Sequence, residues 1–173
     1  MNIGMAMKRT VGGLVAAIAL LAAPALAQSI KVERIEVTRP GIYEIQVGKP
    51  IPDAGVATGH RVEARAYKNV KVGTQIEART GTVIGAEVTI VGTPRRGKVP
   101  LRVVWRYPAP GLTNPETKTT TTSDEYADTQ LIGEKFPIVW GLTQDWHVVP
   151  GTWTLEVFQG DRKLVTQEFQ LSQ

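Results

Sequence analysis

Apolar side chains recur at every second position through most of the chain, and this period constrains the fold more than any other feature. The clearest example is the segment 99–107, where valine, leucine, tryptophan and tyrosine occupy the odd positions and arginines occupy positions 102 and 106. Successive side chains of a β-strand point to opposite faces, so this pattern predicts a half-buried strand. Segments 61–67, 82–91 and 153–158 show the same alternation, and no segment after residue 27 predicts a long helix.

Glycine and proline interrupt the alternating segments about every ten residues, which is typical of short antiparallel strands. The dipeptide Gly160-Asp161 separates two such segments and predicts a tight hairpin. We expect about seven to nine strands and an all-β, antiparallel, immunoglobulin-like β-sandwich, with a small β-barrel as the alternative. The segment 112–135 has the weakest pattern, and we expect extended chain to resume there near residues 126–132.

The segment 1–27 has the three parts of a secretory signal peptide. Lys8 and Arg9 form the basic part, residues 10–23 carry no charge, and Ala25-Leu26-Ala27 fits a cleavage site. The apolar run is shorter than the roughly 20 residues that span a bilayer, so a membrane anchor is the weaker interpretation. The sequence therefore predicts a periplasmic or secreted bacterial protein, with one domain at 28–173 and no transmembrane segment after cleavage.

Composition excludes several classes of function. The chain contains no cysteine, which excludes thiol catalysis, disulfide exchange, thiolate metal sites and a lipid-anchored lipoprotein. The formal net charge is +4, and Lys8 and Arg9 account for half of it, so a nucleic-acid partner is not expected. No residue pattern indicates a cofactor, a metal or a catalytic group, because neither of the two histidines has a recognisable nucleophile and orienting acid near it.

The four tryptophans are the best candidates for function. Trp105 and Trp153 lie on the apolar faces of predicted strands and are expected in the core. Trp140 and Trp146 fall in a turn-rich segment next to His147, and loop aromatics can stack on a sugar or anchor a protein. We therefore predict that Trp140, Trp146 and His147 form a binding surface. The alternative is that they plug the open end of the sandwich.

Two charged clusters are the remaining candidates. Asp124, Glu125 and Asp128 follow a threonine run, but their spacing does not match a calcium loop, so they are interpreted as a solvated acidic turn. The basic turn 95–98 could meet an anionic partner or could simply be a charged turn tip.

Two longer stretches are similar to a family of exported bacterial domains of unknown function. They are Val-Val-Pro-Gly-Thr-Trp-Thr-Leu-Glu-Val at 148–157 and Val-Trp-Arg-Tyr-Pro-Ala-Pro-Gly-Leu at 104–112, supported by Asp-Glu-Tyr at 124–126. The resemblance extends over roughly residues 30–171. It implies an immunoglobulin-like sandwich and carries no activity, substrate or catalytic residue.

These observations favour a non-enzymatic binding or protein-interaction module of the cell envelope, with a periplasmic protein or glycan as its partner. Recognition would use loops on a rigid sandwich, or strand addition at an exposed edge. The alternatives are an enzyme that acts on envelope polysaccharide, an accessory carbohydrate-binding domain, and a structural accessory domain. A polysaccharide-cleaving enzyme needs two carboxylates that face one cleft, and the sequence indicates no such pair.

Overall fold

A computed structural model describes residues 29–173, so the predicted signal peptide at 1–27 lies outside the described residues and stays a prediction. Eleven strands and one short 3₁₀ turn, Asp145–His147, make up the described part. The strands are β1 (Lys31–Pro52), β2 (His60–Val72), β3 (Gln75–Glu77), β4 (Val83–Thr93), β5 (Lys98–Arg106), β6 (Leu112–Thr113), β7 (Thr120–Thr121), β8 (Ser123–Leu131), β9 (Lys135–Gly141), β10 (Gly151–Gln159) and β11 (Arg162–Ser172). No helix within residues 29–173 has the length and apolar character needed to cross a membrane.

Nine of the strands form two sheets. The first sheet has the order β2-β1-β4-β9 and the second has the order β3-β11-β10-β5-β8, while β6 and β7 form a separate small hairpin. Neighbouring strands are antiparallel except β3 and β11, which are parallel. The predicted all-β sandwich is confirmed, and the described strands do not close into a barrel. The hairpin predicted at Gly160-Asp161 is also present, since β10 and β11 flank these two residues.

The core lies between the sheets and is built from the alternating apolar positions. Ile84, Val88 and Ile90 of β4 are fully buried, as are the odd positions of β5. Trp105 and Trp153 are both fully buried, as their positions in the sequence predict. Each large apolar side chain that is removed from water stabilises the fold by roughly 1.5–3 kcal/mol, so this layer supplies the main driving force for folding.

Strand β1 differs from the sequence prediction. The sequence pattern predicts two short strands, at 30–37 and 42–47 on either side of Pro40, and a loop at 49–59. The structure instead has one strand that continues without a break to Pro52. Pro40 is tolerated because β1 changes partner at this point: residues up to Ile42 pair with β4, and residues from Gly41 onward pair with β2. Proline has no backbone N–H to donate to a neighbouring strand, and this costs least where the strand changes from one partner to the other.

The ambiguous segment 112–135 is largely extended. Strand β8 covers Ser123–Leu131 and pairs with β5 along its whole length, which confirms extended chain in this region. The threonine run forms only the two paired residues of β7, because the Asn114 side chain accepts hydrogen bonds from the backbone N–H groups of Glu116 and Thr117 and turns the chain.

Candidate functional site

Trp140 lies on β9 rather than in a turn, which corrects the sequence prediction. Its side chain is 8% exposed and points into the sandwich, where its ring centroid lies 5.1 Å from that of Trp153 and 5.7 Å from that of Tyr107. Strand β9 extends to Gly141 because it pairs with β4 up to Val83. Little of the Trp140 ring is therefore open to a ligand in this conformation.

His147 and Trp146 lie on the 3₁₀ turn, and the His147 ring packs against both Trp140 and Trp146. The ring of His147 is fully buried, and its centroid lies 4.8 Å from that of Trp140 and 4.0 Å from that of Trp146. The Nδ1 atom of His147 accepts the backbone N–H groups of Thr143 and Gln144, at 3.2 and 3.3 Å. Burial lowers the pKa of His147 to about 4, so the imidazole is neutral at pH 7 with its proton on Nε2.

The structure thus brings Trp140, Trp146 and His147 into one row at one end of the sandwich. Trp146 is half-buried, while the other two are buried. This arrangement matches the alternative in which these side chains plug the end of the sandwich. Their role in binding stays a prediction, with Trp146 as the member that retains accessible surface.

Asp124 of β8 is a buried carboxylate that joins this aromatic row to another part of the chain. It is 2% exposed, and it accepts the indole N–H of Trp140 at 3.0 Å and the backbone N–H of Ala57 at 2.6 Å. Burial raises the pKa of Asp124, an effect that these two hydrogen bonds oppose. The solvated acidic turn predicted from the sequence is therefore wrong for Asp124, although Glu125 is exposed.

Residues 43–72 form a two-stranded extension that we call the arm. It comprises the second half of β1, a tip at 53–59, and β2. The tip folds back onto β8, where the carbonyl of Gly55 accepts the backbone N–H of Glu125 at 2.8 Å. The guanidinium of Arg61 lies 4.9 Å from the centre of the Tyr126 ring. These contacts and the bond to Asp124 hold the arm against the sandwich.

One face of the arm carries a row of paired residues that are all uncharged. Directly opposed residues of an antiparallel pair share a face, and the register of β1 and β2 places six uncharged residues together. We call them the outer stripe: Ile45 opposite Tyr67, Val47 opposite Ala64, and Pro50 opposite Val62. Arg61 lies on the other face and points to the sandwich, so the stripe faces solvent. Val47 is 53% exposed and Val62 is 41% exposed.

The two long edges of the arm are poorly suited to strand addition. The pairing of β1 with β2 is irregular at three places: between Ile42 and Tyr43, between Gln46 and Val47, and between Val47 and Pro50. Pro50 and Pro52 remove donors from one edge, and lysines occur on the other. Bulges, prolines and lysines are the devices that keep natural edges from pairing. The arm is therefore equipped to present side chains rather than backbone groups.

The sequence matches the model of one known protein family. A family model described as a domain of unknown function, DUF3859, matches residues 31–171. The chain belongs to this family. No curated protein matches the sequence.

Solved structures support the fold of this DUF3859 domain. An immunoglobulin-like protein of Pseudomonas aeruginosa is similar with 23% identity and a TM-score of 0.51, over 83% of this chain and 97% of that chain. At this identity the likeness shows the fold alone, and it confirms the predicted immunoglobulin-like sandwich. A β-glucosidase of Listeria innocua in complex with glucose is 8% identical with a TM-score of 0.36, and the match covers 76% of this chain but only 16% of the glucosidase, so it carries no functional argument.

A cleft of about 410 Å³ lies between the arm tip of the DUF3859 domain and β8. Two carboxylates line it, but Asp53 accepts a hydrogen bond from Nε of Arg61 at 2.6 Å, and Glu125 accepts one from Arg102 at 3.1 Å. The hydrogen bonds from Gly55 and Arg61 hold the pKa of Asp53 below its usual range. A glycoside hydrolase needs one carboxyl group with a raised pKa, whereas the pKa of Asp53 is lowered.

The DUF3859 domain has further charged side chains away from this cleft. Among residues 29–173, no group of three or more His, Asp or Glu side chains could hold a metal ion. The basic turn 95–98 is present between β4 and β5, and Arg96 forms an ion pair with Glu134. Whether this turn meets an anionic partner stays a prediction.

Sequence reasoning missed the arm of the DUF3859 domain and its outer stripe. The alternation at residues 42–47 and 61–67 was recognised, but the register that puts Val47 opposite Ala64 depends on two bulges. A bulge shifts side chains to the other face, and an isolated strand pattern does not show where it occurs. The valines of β2, which are exposed in the structure, were the sequence feature that could have pointed to an apolar surface on the arm.

Proposed function

We propose that this DUF3859 protein is an exported, non-enzymatic interaction module of the cell envelope, and that it binds its partner through the outer stripe of the arm. One observation carries the proposal: among residues 29–173, six large apolar side chains are exposed, and five of them lie on the arm. Val47 and Val62 belong to the outer stripe, while the other three lie elsewhere on the arm: Ile51, Val70 and Val72. Exposed apolar surface that is concentrated on one element is typical of a docking site.

The geometry of the arm favours side-chain docking over catalysis. The tip is fixed by Asp124, Glu125 and Tyr126, so the stripe is presented on a supported element rather than on a free loop. A preorganised surface loses less conformational entropy on binding than a mobile one. The carboxylates of Asp53 and Glu125 near the tip form ion pairs with arginines. Both oxygens of Asp124 accept hydrogen bonds from within the protein.

Site-specific photo-crosslinking in the producing bacterium tests the docking surface. A photoreactive phenylalanine analogue replaces Val62 in the stripe, and a matched variant carries it at Ala66, which lies on the opposite face of the same strand. We expect a discrete protein adduct from position 62 that is absent from position 66 and is lost when Val47→Lys is added. Equal adducts from both positions, or none from position 62, would contradict the proposal.

Export is tested separately by cell fractionation and N-terminal sequencing. We expect the chain in the envelope fraction or medium with Gln28 as its first residue, because the cleavage pattern ends at Ala27. A chain that stays in the cytoplasm with the segment 1–27 attached would contradict the envelope assignment.

A further inference from the structure

We infer that the cleft between the arm tip and β8 binds a neutral saccharide unit through pairs of adjacent hydroxyl groups. The cleft is separate from the outer stripe, because it lies on the side of the arm that faces the sandwich, where Arg61 reaches Tyr126. The inference therefore goes beyond the proposed function and depends on none of the stripe residues. The volume of about 410 Å³ lies toward the lower end of the roughly 300–1,000 Å³ that small-ligand sites occupy.

On the arm side of the cleft, two neighbours hold the Arg61 guanidinium in place. Its Nε donates to Oδ2 of Asp53 at 2.6 Å, and its Cζ lies 4.9 Å from the centre of the Tyr126 ring. Asp53 is fixed in turn, since its Oδ1 accepts the backbone N–H of Gly55 at 2.9 Å. A guanidinium has five N–H groups, and within the described part of the chain Arg61 uses one of them. Its terminal N–H groups therefore remain available to a ligand.

On the other side of the cleft, Arg102 of β5 is held in the same way. Its Nη1 donates to Oε2 of Glu125 at 3.1 Å, and its Cζ lies 4.0 Å from the centre of the Phe158 ring. The second oxygen of Glu125, Oε1, accepts no hydrogen bond from any described residue. The cleft thus presents two positioned guanidinium groups and a free carboxylate oxygen. Groups that are already fixed lose little conformational entropy when a ligand binds.

The charges around the cleft favour a neutral ligand. Its charged lining consists of two arginines, Arg61 and Arg102, and two carboxylates, Asp53 and Glu125, so the formal charges cancel. An anion would be repelled by the carboxylates and a cation by the guanidinium groups, whereas a neutral ligand avoids both costs. A hydroxyl group both donates and accepts, so adjacent hydroxyls can accept from a guanidinium and donate to a carboxylate. Saccharides are the neutral ligands that carry such hydroxyls in a row.

Tyr126 and Ala127 of β8 complete the lining with carbon surface. A sugar ring carries C–H groups beside its hydroxyls, and these can pack on apolar atoms while the hydroxyls bond to the polar groups. Asp53 serves as a hydrogen-bond acceptor and not as an acid, because the hydrogen bonds from Gly55 and Arg61 hold its pKa below the usual range. We therefore expect binding without cleavage.

An NMR titration of the processed, ¹⁵N-labelled chain tests the site. Glucose, mannose and galactose are the neutral probes, and glucuronate and glucosamine are the anionic and cationic comparisons. With at least one neutral sugar we expect saturable shifts of the Tyr126 and Ala127 amides and a Kd of about 1–10 mM, as for a ligand of this size. The inference is overturned if no neutral sugar shifts these amides up to about 100 mM, or if a charged sugar binds at least as tightly.

Arg102→Lys and Arg106→Lys form a matched pair of variants. Both arginines lie on the same face of β5 and form an ion pair, but only Arg102 lines the cleft, while Arg106 pairs with Glu156. A lysine keeps the charge and lacks the planar fork, so we expect Arg102→Lys to weaken sugar binding at least about tenfold and Arg106→Lys to change it less than about twofold. Equal weakening in the two variants overturns the inference.

Glu125→Gln is a second variant, which changes the charge of the cleft. It keeps the size of the side chain and leaves the lining formally positive, so we expect glucuronate to bind at least about threefold more tightly than it does to the wild type. An unchanged affinity for glucuronate would show that these charges do not select the ligand, and it overturns the inference.

The two proposals fail in different ways, because the stripe and the cleft share no residue. Val47→Lys should abolish the docking adduct and leave the sugar titration unchanged. Sugar binding without an adduct from position 62 supports the cleft and excludes the docking surface. An adduct without sugar binding supports the docking surface and overturns the saccharide site.

Discussion

Trp140 donates its indole N–H to Oδ2 of Asp124 at 3.0 Å, in the buried end of the sandwich. The other oxygen of Asp124 accepts the backbone N–H of Ala57 at the tip of the arm. A single carboxylate therefore connects a core aromatic side chain to the element that carries the outer stripe. No cation pairs with this buried acid among the described residues, so its hydrogen bonds are what offset its burial.

Removal of the Asp124 carboxylate should loosen the arm. Asp124→Ala leaves the N–H groups of Trp140 and Ala57 without their acceptor, and we expect a loss of about 2–3 kcal/mol in the free energy of unfolding. Asp124→Asn keeps one acceptor oxygen and should lose less. Urea unfolding gives the stability, and amide hydrogen exchange at Ala57 should accelerate in both variants.

Glu125→Ala is the control for Asp124, because Glu125 is the exposed neighbour on the same strand. It removes only the ion pair with Arg102, which is partly exposed and should contribute less than about 1 kcal/mol. If Glu125→Ala accelerates exchange at Ala57 as much as Asp124→Ala does, the buried carboxylate does not hold the arm.

Stability should fall with acid through His147. Burial lowers its pKa to about 4 in the folded chain, against 6.5 for the free side chain. Between pH 6.5 and pH 4 the unfolded chain binds a proton that the folded chain excludes, so the stability present above pH 6.5 is lost as the pH falls through this window. The contribution of this group is about 3 kcal/mol by pH 4.

His147→Asn tests this contribution, because the amide oxygen can still accept from the backbone at Thr143 and Gln144. The difference in unfolding free energy between wild type and variant should shrink by about 3 kcal/mol from pH 7 to pH 4. A proton NMR titration of the His147 ring should give a midpoint near 4. A midpoint near 6.5 would show that the ring is solvated.

Acrylamide quenching should single out Trp146. Trp105 and Trp153 are fully buried and Trp140 nearly so, while Trp146 is half-buried on the 3₁₀ turn. We expect Trp146→Phe to remove the quenchable part of the fluorescence and Trp105→Phe to leave it unchanged. Strong quenching in Trp146→Phe would mean that the aromatic row opens in solution.

Gly41 should be essential for the path of β1 into the arm. A Cβ atom at Gly41 would lie 1.9 Å from the carbonyl oxygen of Lys71, while one at Gly73 would meet no atom within 4 Å. Both glycines have a positive φ, 155° and 140°, so Gly73→Ala carries the backbone strain without the clash. We expect Gly41→Ala to lose about 1–3 kcal/mol more than Gly73→Ala in urea unfolding.

A tip that becomes sensitive to protease in Gly41→Ala, but not in Gly73→Ala, would place the defect in the arm. Equal losses of stability in the two variants would show that the contact with Lys71 is relieved by a small backbone shift.

The strand pattern in the sequence was sufficient for the sandwich and for much of its core. Leu101, Val103 and Trp105 follow a strict two-residue period, and burial of one face of a strand requires that period. The hairpin at Gly160-Asp161 was likewise predictable, because a two-residue turn depends on local backbone conformation.

The position of Trp140 was not predictable in the same way. Its neighbours in the sequence resemble a turn, and only the pairing of β9 with β4 makes it part of a strand. The burial of Asp124 has the same origin: Ala57 and Trp140 are distant from it in sequence, and an acceptor for their N–H groups is needed only once the chain has folded.

By itself, the sequence determined the fold class, the composition of the core and the terminal hairpin, because these depend on periodicity and on local turn chemistry. Tertiary structure alone decided that residues 43–72 form an arm, that its bulges bring Val47 opposite Ala64, and that Asp124 fixes its tip. The physical reason is that register, bulges and the burial of a charge arise from contacts between segments far apart in the chain, which a local pattern does not specify.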